Sequence, residues 1–266
     1  MIFSWLLTID LLIFGADASL FGAFLMVLYQ LKEKKSATGL SLQSLSLVVL
    51  ARLLHLLSHP MDLHFEPTMI PIFVYSGFDV ANACFGCYVL YFAMTNLLHT
   101  YEAEKDTFGE KIFRTYIWPS APVTGIQRVF VRSGFSYFLA LSLGFVWWLI
   151  RRSHQSFFSS YFACIYEVLG AVALLPQLWM FQKDKVASPQ LANFVVLVAL
   201  NRFFTLAFWT VYPWVFHWRY PDNRGIQMLS EVLNLFIISD FLYYYVRAKL
   251  RGENYIKIPT SLQEDV

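Results

Sequence analysis

The feature that most constrains this chain is a series of long apolar stretches, because each can cross a lipid bilayer as a helix. They recur at about residues 10–31, 40–58, 70–98, 134–150, 157–181, 190–213 and 225–250, and roughly 20 apolar residues suffice for one crossing. Of the 266 residues, 58% are hydrophobic and only 14% are charged, which excludes an ordinary soluble domain. The sequence therefore predicts an all-α integral membrane protein with seven transmembrane helices.

Lys and Arg residues are distributed unevenly between the two sides that seven spans would create. Of the twenty, fourteen fall in the connections and tail of one side, four fall on the other side, and two lie inside spans. Cytoplasmic connections normally carry the excess of basic residues. We therefore expect a lumenal or extracellular N-terminus and a cytosolic C-terminus. The net charge of +2 is too small to indicate a nucleic-acid partner.

The two basic residues inside spans, Arg52 and Arg202, follow similar connectors. Tyr29-Gln30-Leu31 precedes Lys-Glu-Lys-Lys, and Pro176-Gln177-Leu178 precedes Gln-Lys-Asp-Lys. In each case a basic, serine-containing turn leads into the apolar helix that carries the arginine. This similarity predicts one helical unit used twice, and parallel repeats of this kind place their binding site between the bundles near mid-membrane.

The repeat predicts a division of the chain into four parts. A long polar connection separates the halves, and its residues 112–118 suit either a membrane interface or a solvated loop. We expect the tail from Arg251 to be a disordered cytosolic segment. The predicted parts are a first three-helix bundle (1–98), a polar loop with a linker helix (99–156), a second three-helix bundle (157–251) and the tail (252–266).

An arginine at bilayer depth costs at least roughly 2.5 to 3.5 kcal/mol, so it usually serves a site. Two arginines at matching points of two halves predict a central cavity that attracts negative charge. A guanidinium group binds carboxylates in a fixed, forked geometry. Trp209, two helical turns after Arg202, is placed to line the same cavity. The ligand predicted from these residues carries a carboxylate.

The competing interpretation of each arginine is a structural ion pair with an acid inside the membrane. Asp240 is the favoured partner because it lies near the middle of the last span with no positive charge beside it. A partial pairing that a ligand's carboxylate displaces would reconcile the two interpretations. The available acids are Asp17, Asp79, Glu167, Glu231 and Asp240.

His55 lies three positions after Arg52, on nearly the same helical face, so its protonation should respond to ligand charge. His55, His59 and His64 with Asp62 could hold a metal, but Pro60 redirects the chain between them. We expect no metal and no cofactor. The sequence also lacks a Ser-His-Asp order, a phosphate-binding glycine loop and paired catalytic carboxylates, so we expect no enzyme.

Several motifs together resemble the KDEL receptors, the endoplasmic reticulum (ER) lumen protein retaining receptors. The resemblance runs over most of residues 15–258. The spacing between the Pro-Gln pair, Arg202 and Asp240 is its most specific part. The motifs are Ala171–Met180, Leu200–Arg202 with Trp209, Ser239–Val246, Thr38–Ser44 and Lys105–Phe108.

This resemblance implies a SWEET-like fold of two three-helix bundles and a multi-pass receptor of the Golgi and ER membranes. Such a receptor binds the C-terminal retrieval tetrapeptide (KDEL-like) of escaped lumenal proteins at mildly acidic pH and returns them with cytosolic coat proteins. By position, Arg52 and Arg202 would hold the peptide's carboxylate and acidic groups, and Trp209 would line the site. Asp240 would belong to a polar network on the cytosolic side, and Asp17 keeps its family position.

The chain departs from the family pattern mainly at acidic positions. The pocket keeps its anion-binding half and loses most of its cation-binding half, so we expect it to recognise a variant signal. His55 would then replace the family's missing histidine as pH sensor. The family's first-helix arginine aligns with Ile13, its histidine with Leu20, two glutamates with Ser160 and Gly170, one aspartate with His55, and a loop acid falls near Arg224, with Asp222 close.

A second function fits the same fold. Carriers of the SWEET and PQ-loop type share the architecture, and function is carried by the site rather than the fold. The alternative hypothesis is therefore a carrier of a small anionic solute.

Overall fold

The computed structural model describes residues 2–58, 72–118, 125–151, 157–215, 224–253 and 255–258. Over these residues the chain is almost entirely helical, as the sequence predicts. A 3₁₀ turn, Leu98–Thr100, follows α3, and a π-helical turn, Phe113–Ile117, follows α4. The helices are α1 (Ile2–Lys34), α2 (Leu42–Ser58), α3 (Ile72–Asn96), α4 (Glu110–Ile112), α5 (Gly125–Arg151), α6 (Phe157–Val172), α7 (Leu175–Asp184), α8 (Pro189–Val215) and α9 (Arg224–Leu250).

Every predicted apolar stretch coincides with helix. Six helical segments in the described residues are long and apolar enough to cross a membrane, and α2 is a shorter apolar helix of 17 residues. The fifth stretch is broken into α6 and α7 at residues 173–174. The break follows from Pro176, which has no N–H to donate to the carbonyl four residues earlier and is tolerated in the first turn of a new helix.

Helix packing follows the same pattern in both halves of the described structure. In the first half α3 contacts both α1 and α2, and in the second half α9 contacts both α6 and α8. The first and second helices of each half barely touch. The halves join where α1 packs on α8 and α2 packs on α6, and α5 packs on α6 and α2. One apolar core, which includes Phe24, Leu45 and Phe194, draws residues from both halves.

Gln177, at the start of α7, reaches across to the connector between α1 and α2. Its side-chain oxygen accepts a hydrogen bond from the Ser41 N–H at 2.8 Å, and its amide nitrogen donates to the Gly39 carbonyl at 2.8 Å. The Gln177 N–H donates to Ser44 Oγ at 2.8 Å. These contacts fix the second half of the molecule to the first.

Gln30, near the end of α1, makes the reciprocal contact. Its side-chain oxygen accepts a hydrogen bond from Ser188 Oγ, in the connector before α8, at 3.2 Å. Its amide nitrogen donates to the Thr38 carbonyl of its own connector at 3.4 Å. The two glutamines of the repeated connectors thus each bind the connector of the opposite half, which gives the sequence repeat a structural meaning.

Asp106 anchors the polar connection onto the start of α2. This fully buried carboxylate accepts hydrogen bonds from Ser41 Oγ at 2.9 Å, the Gln43 N–H at 3.2 Å and the Tyr101 hydroxyl at 2.6 Å. It therefore caps one of the N–H groups that the first turn of a helix leaves unpaired, that of Gln43.

Lys105 ties the same connection to the end of α7. Its ammonium group lies 2.8 Å from both Asp184 and Glu102. The pKa of Lys105 is raised because these two carboxylates, Asp184 first, accept hydrogen bonds from it. Further along the connection, Phe113 is buried beside Phe135, while the other apolar residues of 112–118 are largely exposed.

The tail is ordered where the sequence predicts disorder. Residues 256–257 form β2 (Ile256–Lys257), which pairs antiparallel with β1 (Val186–Ala187). Ile256 is only 2% exposed and belongs to the main core. The prediction of a disordered segment from Arg251 is therefore wrong as far as residue 258, because burial of one apolar side chain and backbone pairing hold the chain. The rest of the tail lies outside the described residues.

We predict that Gln177→Leu lowers the apparent melting temperature by roughly 5 to 10 °C, since it leaves two buried backbone groups without partners. Thermal unfolding of the detergent-purified protein measures this shift. Gln182→Leu is the matched control, because Gln182 lies on the same helix and is exposed. Equal melting temperatures for the two variants would show that the cross-half contact does not stabilise the fold.

Candidate functional site

Arg52 lies at the meeting point of α1, α2 and α3. It is 9% exposed, and its Nη2 donates hydrogen bonds to carboxylates on two other helices, Asp17 of α1 and Asp79 of α3. One guanidinium nitrogen thus serves two acids. Asp17 is further fixed through its backbone carbonyl, which accepts a hydrogen bond from the Asn82 amide at 3.2 Å.

His55 extends this cluster toward α6. Its Nδ1 lies 3.6 Å from Asp79 Oδ2, which is longer than a hydrogen bond but within ion-pair distance for a protonated ring. Its ring meets the ring of Tyr166 edge to face, with centroids 4.8 Å apart. Arg52 and His55 therefore face the same side of α2, as the spacing of three residues predicts.

Arg202 lies on α8 and is 7% exposed. Its Nη1 is 3.4 Å from Oε1 of Glu231 on α9, and its Cζ lies 5.8 Å from the centroid of the Tyr166 ring. The other oxygen of Glu231 accepts a hydrogen bond from Asn234 at 3.3 Å. This second arginine is thus held by one carboxylate and one aromatic face.

Tyr166 connects the two arginine clusters. It contacts His55 on the α2 side and Arg202 on the α8 side, so the chain of contacts runs from Arg52 to Arg202. The sequence patterns above did not identify Tyr166 as a site residue. The available signal was its position four residues before Gly170, which places both on one face of α6.

Gly170 makes room for Arg202. A side-chain Cβ at this position would overlap the Arg202 guanidinium group. The resemblance places a family glutamate here, and in this chain the acid that meets Arg202 comes from α9 instead.

The prediction that Asp240 pairs with an arginine is wrong. Asp240 is exposed, and the arginines pair with Asp17, Asp79 and Glu231. Glu231 and Asp240 are nine residues apart, which places them on opposite sides of α9. Because of the helical period, only one of the two acids, Glu231, faces the interior. The membership of Asp240 in a cytosolic-side polar network stays a prediction.

Trp209 lies apart from the two arginine clusters. It packs with Phe208 and Tyr212, at centroid distances of 5.0 and 5.9 Å, in a small apolar cluster that also contains Ile9 and Ile13 of α1. It lies two turns from Arg202, toward the end of α8. Any contact of Trp209 with a ligand would be with a part distant from the guanidinium groups.

Several carboxylates lie in the interior of the described structure. Carboxylates of the chain meet both arginines, and Asp10 and Glu167 are also buried. Glu167 accepts a hydrogen bond from the Trp147 indole N–H at 2.9 Å. The structure thus contains the ion pairs of the competing interpretation, because ionised groups at this depth need counter-charges, and a cavity that attracts a ligand's negative charge stays a prediction.

The pairing of the arginines is nevertheless incomplete. The Nε–H of Arg52 and the Nε–H of Arg202 are buried without a hydrogen-bond acceptor among the described residues. Each guanidinium group thus keeps capacity for a further acceptor. His59, Asp62, His64 and Asp222, and the side chain of Arg224, lie outside the described residues.

The match to a family model comes from the region that contains these contacts. The model described as ER lumen protein retaining receptor matches residues 36–212, which include Arg52, His55, Asp79 and Arg202. This chain belongs to the ER lumen protein retaining receptor family. Asp17 and Glu231 lie outside the matched region, and they complete the ion pairs of Arg52 and Arg202.

Two relatives carry the same family name. The ER lumen protein-retaining receptor of Dictyostelium discoideum is 26% identical over 250 residues, which cover 93% of this chain and 98% of the relative. The ER lumen protein-retaining receptor 3 of Danio rerio is 33% identical over 91 residues, 34% of this chain and 40% of the relative. The first comparison extends the relationship to nearly the whole chain.

We predict that Gly170→Ala destabilises this family member by about 1 to 3 kcal/mol, since the new methyl group displaces the Arg202 guanidinium from its pocket. Gly77→Ala is the control, because a Cβ at Gly77 meets nothing within 4 Å. It should be neutral or stabilising.

A double-mutant cycle gives the decisive comparison. In an Arg202→Ala background, Gly170→Ala should lose most of its cost, because the group it displaces is gone. If Gly170→Ala destabilises the Arg202→Ala protein as much as the wild type, the added methyl group clashes with a group other than Arg202.

Proposed function

We propose that this chain is a membrane receptor that retrieves soluble ER proteins from the Golgi by binding a C-terminal, KDEL-like retention signal. The family membership supports the receptor class. The observation that carries the proposal is the pair of buried arginines, each with an Nε–H that has no acceptor among the described residues. A peptide's terminal carboxylate is an acceptor of the right charge and geometry.

We propose a seven-span arrangement for this receptor. In it, α2 is the second span, α6 and α7 together form the fifth, and α5 is the linker between two three-helix, SWEET-like bundles. The shared packing pattern of the two halves and the reciprocal contacts of Gln30 and Gln177 support the division. The distribution of Lys and Arg supports a lumenal N-terminus and a cytosolic C-terminus.

The ligand in this proposal differs from a standard lysine-bearing tetrapeptide. At Ser160, where the family carries an acid for the peptide's lysine, the side chain accepts a hydrogen bond from the Trp148 indole at 3.0 Å. A serine hydroxyl supplies no charge for an ammonium group. We therefore propose a variant signal that keeps the terminal carboxylate and differs at the lysine position.

The relatives are named as receptors, so we propose the receptor in preference to the small-anion carrier. Uptake of an anion into proteoliposomes that Arg202→Ala abolishes would favour the carrier instead. The interaction of the tail with coat proteins at the cytosolic face is proposed on family resemblance alone.

We predict that the purified protein binds peptides with a free C-terminal carboxylate, and binds their amidated forms at least tenfold more weakly. Arg52→Gln and Arg202→Gln should each weaken binding by about thirtyfold or more, as expected for loss of one partner of a buried charge pair. A fluorescently labelled C-terminal peptide library, titrated against the protein, measures both effects.

Arg247→Gln is the matched control, because Arg247 lies at the end of α9 where the helix is exposed. Amidated peptides that bind as well as free acids would contradict the proposal.

A second prediction concerns the pH dependence of binding. Binding should be tighter at about pH 5.5 than at about pH 7.4, and loss of this difference in His55→Gln would identify His55 as the sensor, because a protonated ring offsets the negative charge of the ligand. The titration of wild type and variant at both pH values decides this. A pH dependence that survives His55→Gln would exclude His55 as the sensor.

A further inference from the structure

The Arg52 cluster holds more negative than positive charge if both of its acids are ionised. Asp17 and Asp79 share the same nitrogen of one guanidinium group, and their side chains are 7% and 16% exposed. Two carboxylates against one cation leave one uncompensated negative charge. At this depth in a membrane protein, such a charge costs several kcal/mol.

The helices packed around this cluster bring other titratable groups. On α1, Asp10 is buried two turns before Asp17. On α2, His55 faces Asp79 at 3.6 Å, and on α6 Tyr166 faces His55. On α8, Arg202 packs on the Tyr166 ring, and Glu231 of α9 already meets it.

These contacts leave two places for a compensating positive charge, a protonated His55 or a proton on the acid pair. The separation of His55 Nδ1 from Asp79 exceeds hydrogen-bond length, and the ring packs against the Tyr166 ring. The two carboxylates instead converge on one nitrogen, an arrangement in which like charges favour retention of one proton. The geometry therefore favours the pair of aspartates, Asp17 and Asp79, as the place where the compensating proton is held.

We propose that Asp17 and Asp79 form a proton-binding site that holds one proton in the ligand-free protein and takes up a second when an anionic ligand binds Arg52. The ligand's carboxylate replaces one aspartate at the guanidinium group, and the displaced aspartate gains a proton from water. One negative charge and one proton enter together, so the net charge of the site does not change.

The first part of this proposal concerns the protein without ligand. The second part rests on the proposed function, because it requires a ligand with a carboxylate. Acidic conditions would then favour binding through the aspartates, without a histidine. In this mechanism the aspartate pair couples the Arg52 cluster to its ligand.

Infrared spectroscopy of the ligand-free protein tests the first part. At about pH 7.4 we expect the carbonyl stretching band of a protonated carboxylic acid, and both Asp79→Asn and Asp17→Asn should remove a component of it. His55→Gln should leave it unchanged, and so should Glu231→Gln, which removes a buried acid paired one to one with its arginine. A band identical in wild type and both aspartate variants would overturn the proposal.

Calorimetry of peptide binding, repeated in buffers of different ionisation enthalpy, tests the coupling. Wild type should take up about one proton per peptide, and binding should tighten by up to about tenfold for each pH unit of acidification. The double variant Asp17→Asn/Asp79→Asn should bind with close to no proton uptake and with a flat pH profile, because neither acid remains to take up a proton. Glu33→Gln, which removes an exposed acid of the helix that carries Asp17, should keep the wild-type slope.

The infrared and calorimetric tests distinguish failure of the proton coupling from failure of the proposed receptor function. Proton uptake unchanged in the double variant Asp17→Asn/Asp79→Asn would overturn the coupling while leaving the receptor function intact. Loss of the infrared component together with no peptide binding at either pH would contradict the proposed function and leave the proton site standing.

Discussion

The structure depends on the neutralisation of two guanidinium groups in an interior where unpaired charge is expensive. Arg52 draws Asp17 and Asp79 from two neighbouring helices, and Arg202 draws Glu231 from a third. Each ion pair fixes the rotation of the helices that supply it, because an acid on the wrong face could not reach. The charges therefore act as positional constraints on five of the helices as well as a candidate ligand site.

A second set of contacts holds the two halves at one end of the helices. Gln30 and Gln177 each bind the connector of the opposite half, and Asp106 caps the start of α2 beside them. The arginine clusters lie further along the same helices and meet through Tyr166. A ligand that repositions either arginine would thus act on helices whose connector ends are already fixed by hydrogen bonds, which directs any movement toward the far ends.

The sequence supplied a good account of the helices and an incomplete one of the site. It placed its apolar stretches where the structure has helix, since apolar length is a local property, and it identified Arg52, His55 and Arg202, which do lie in one chain of contacts. It chose Asp240 over Glu231 because flanking residues describe the local environment and not the face that packs inward. It missed Tyr166, whose ring touches groups on two other helices.

By itself the sequence determined that this chain is helical and that it belongs in a membrane, because periodicity and hydropathy are written in neighbouring residues. Only the tertiary structure decided which acid neutralises which arginine, that Gly170 provides the space for Arg202, and that Ile256 orders the start of the tail. These outcomes depend on the relative rotation and distance of helices far apart in the chain, which no local pattern encodes.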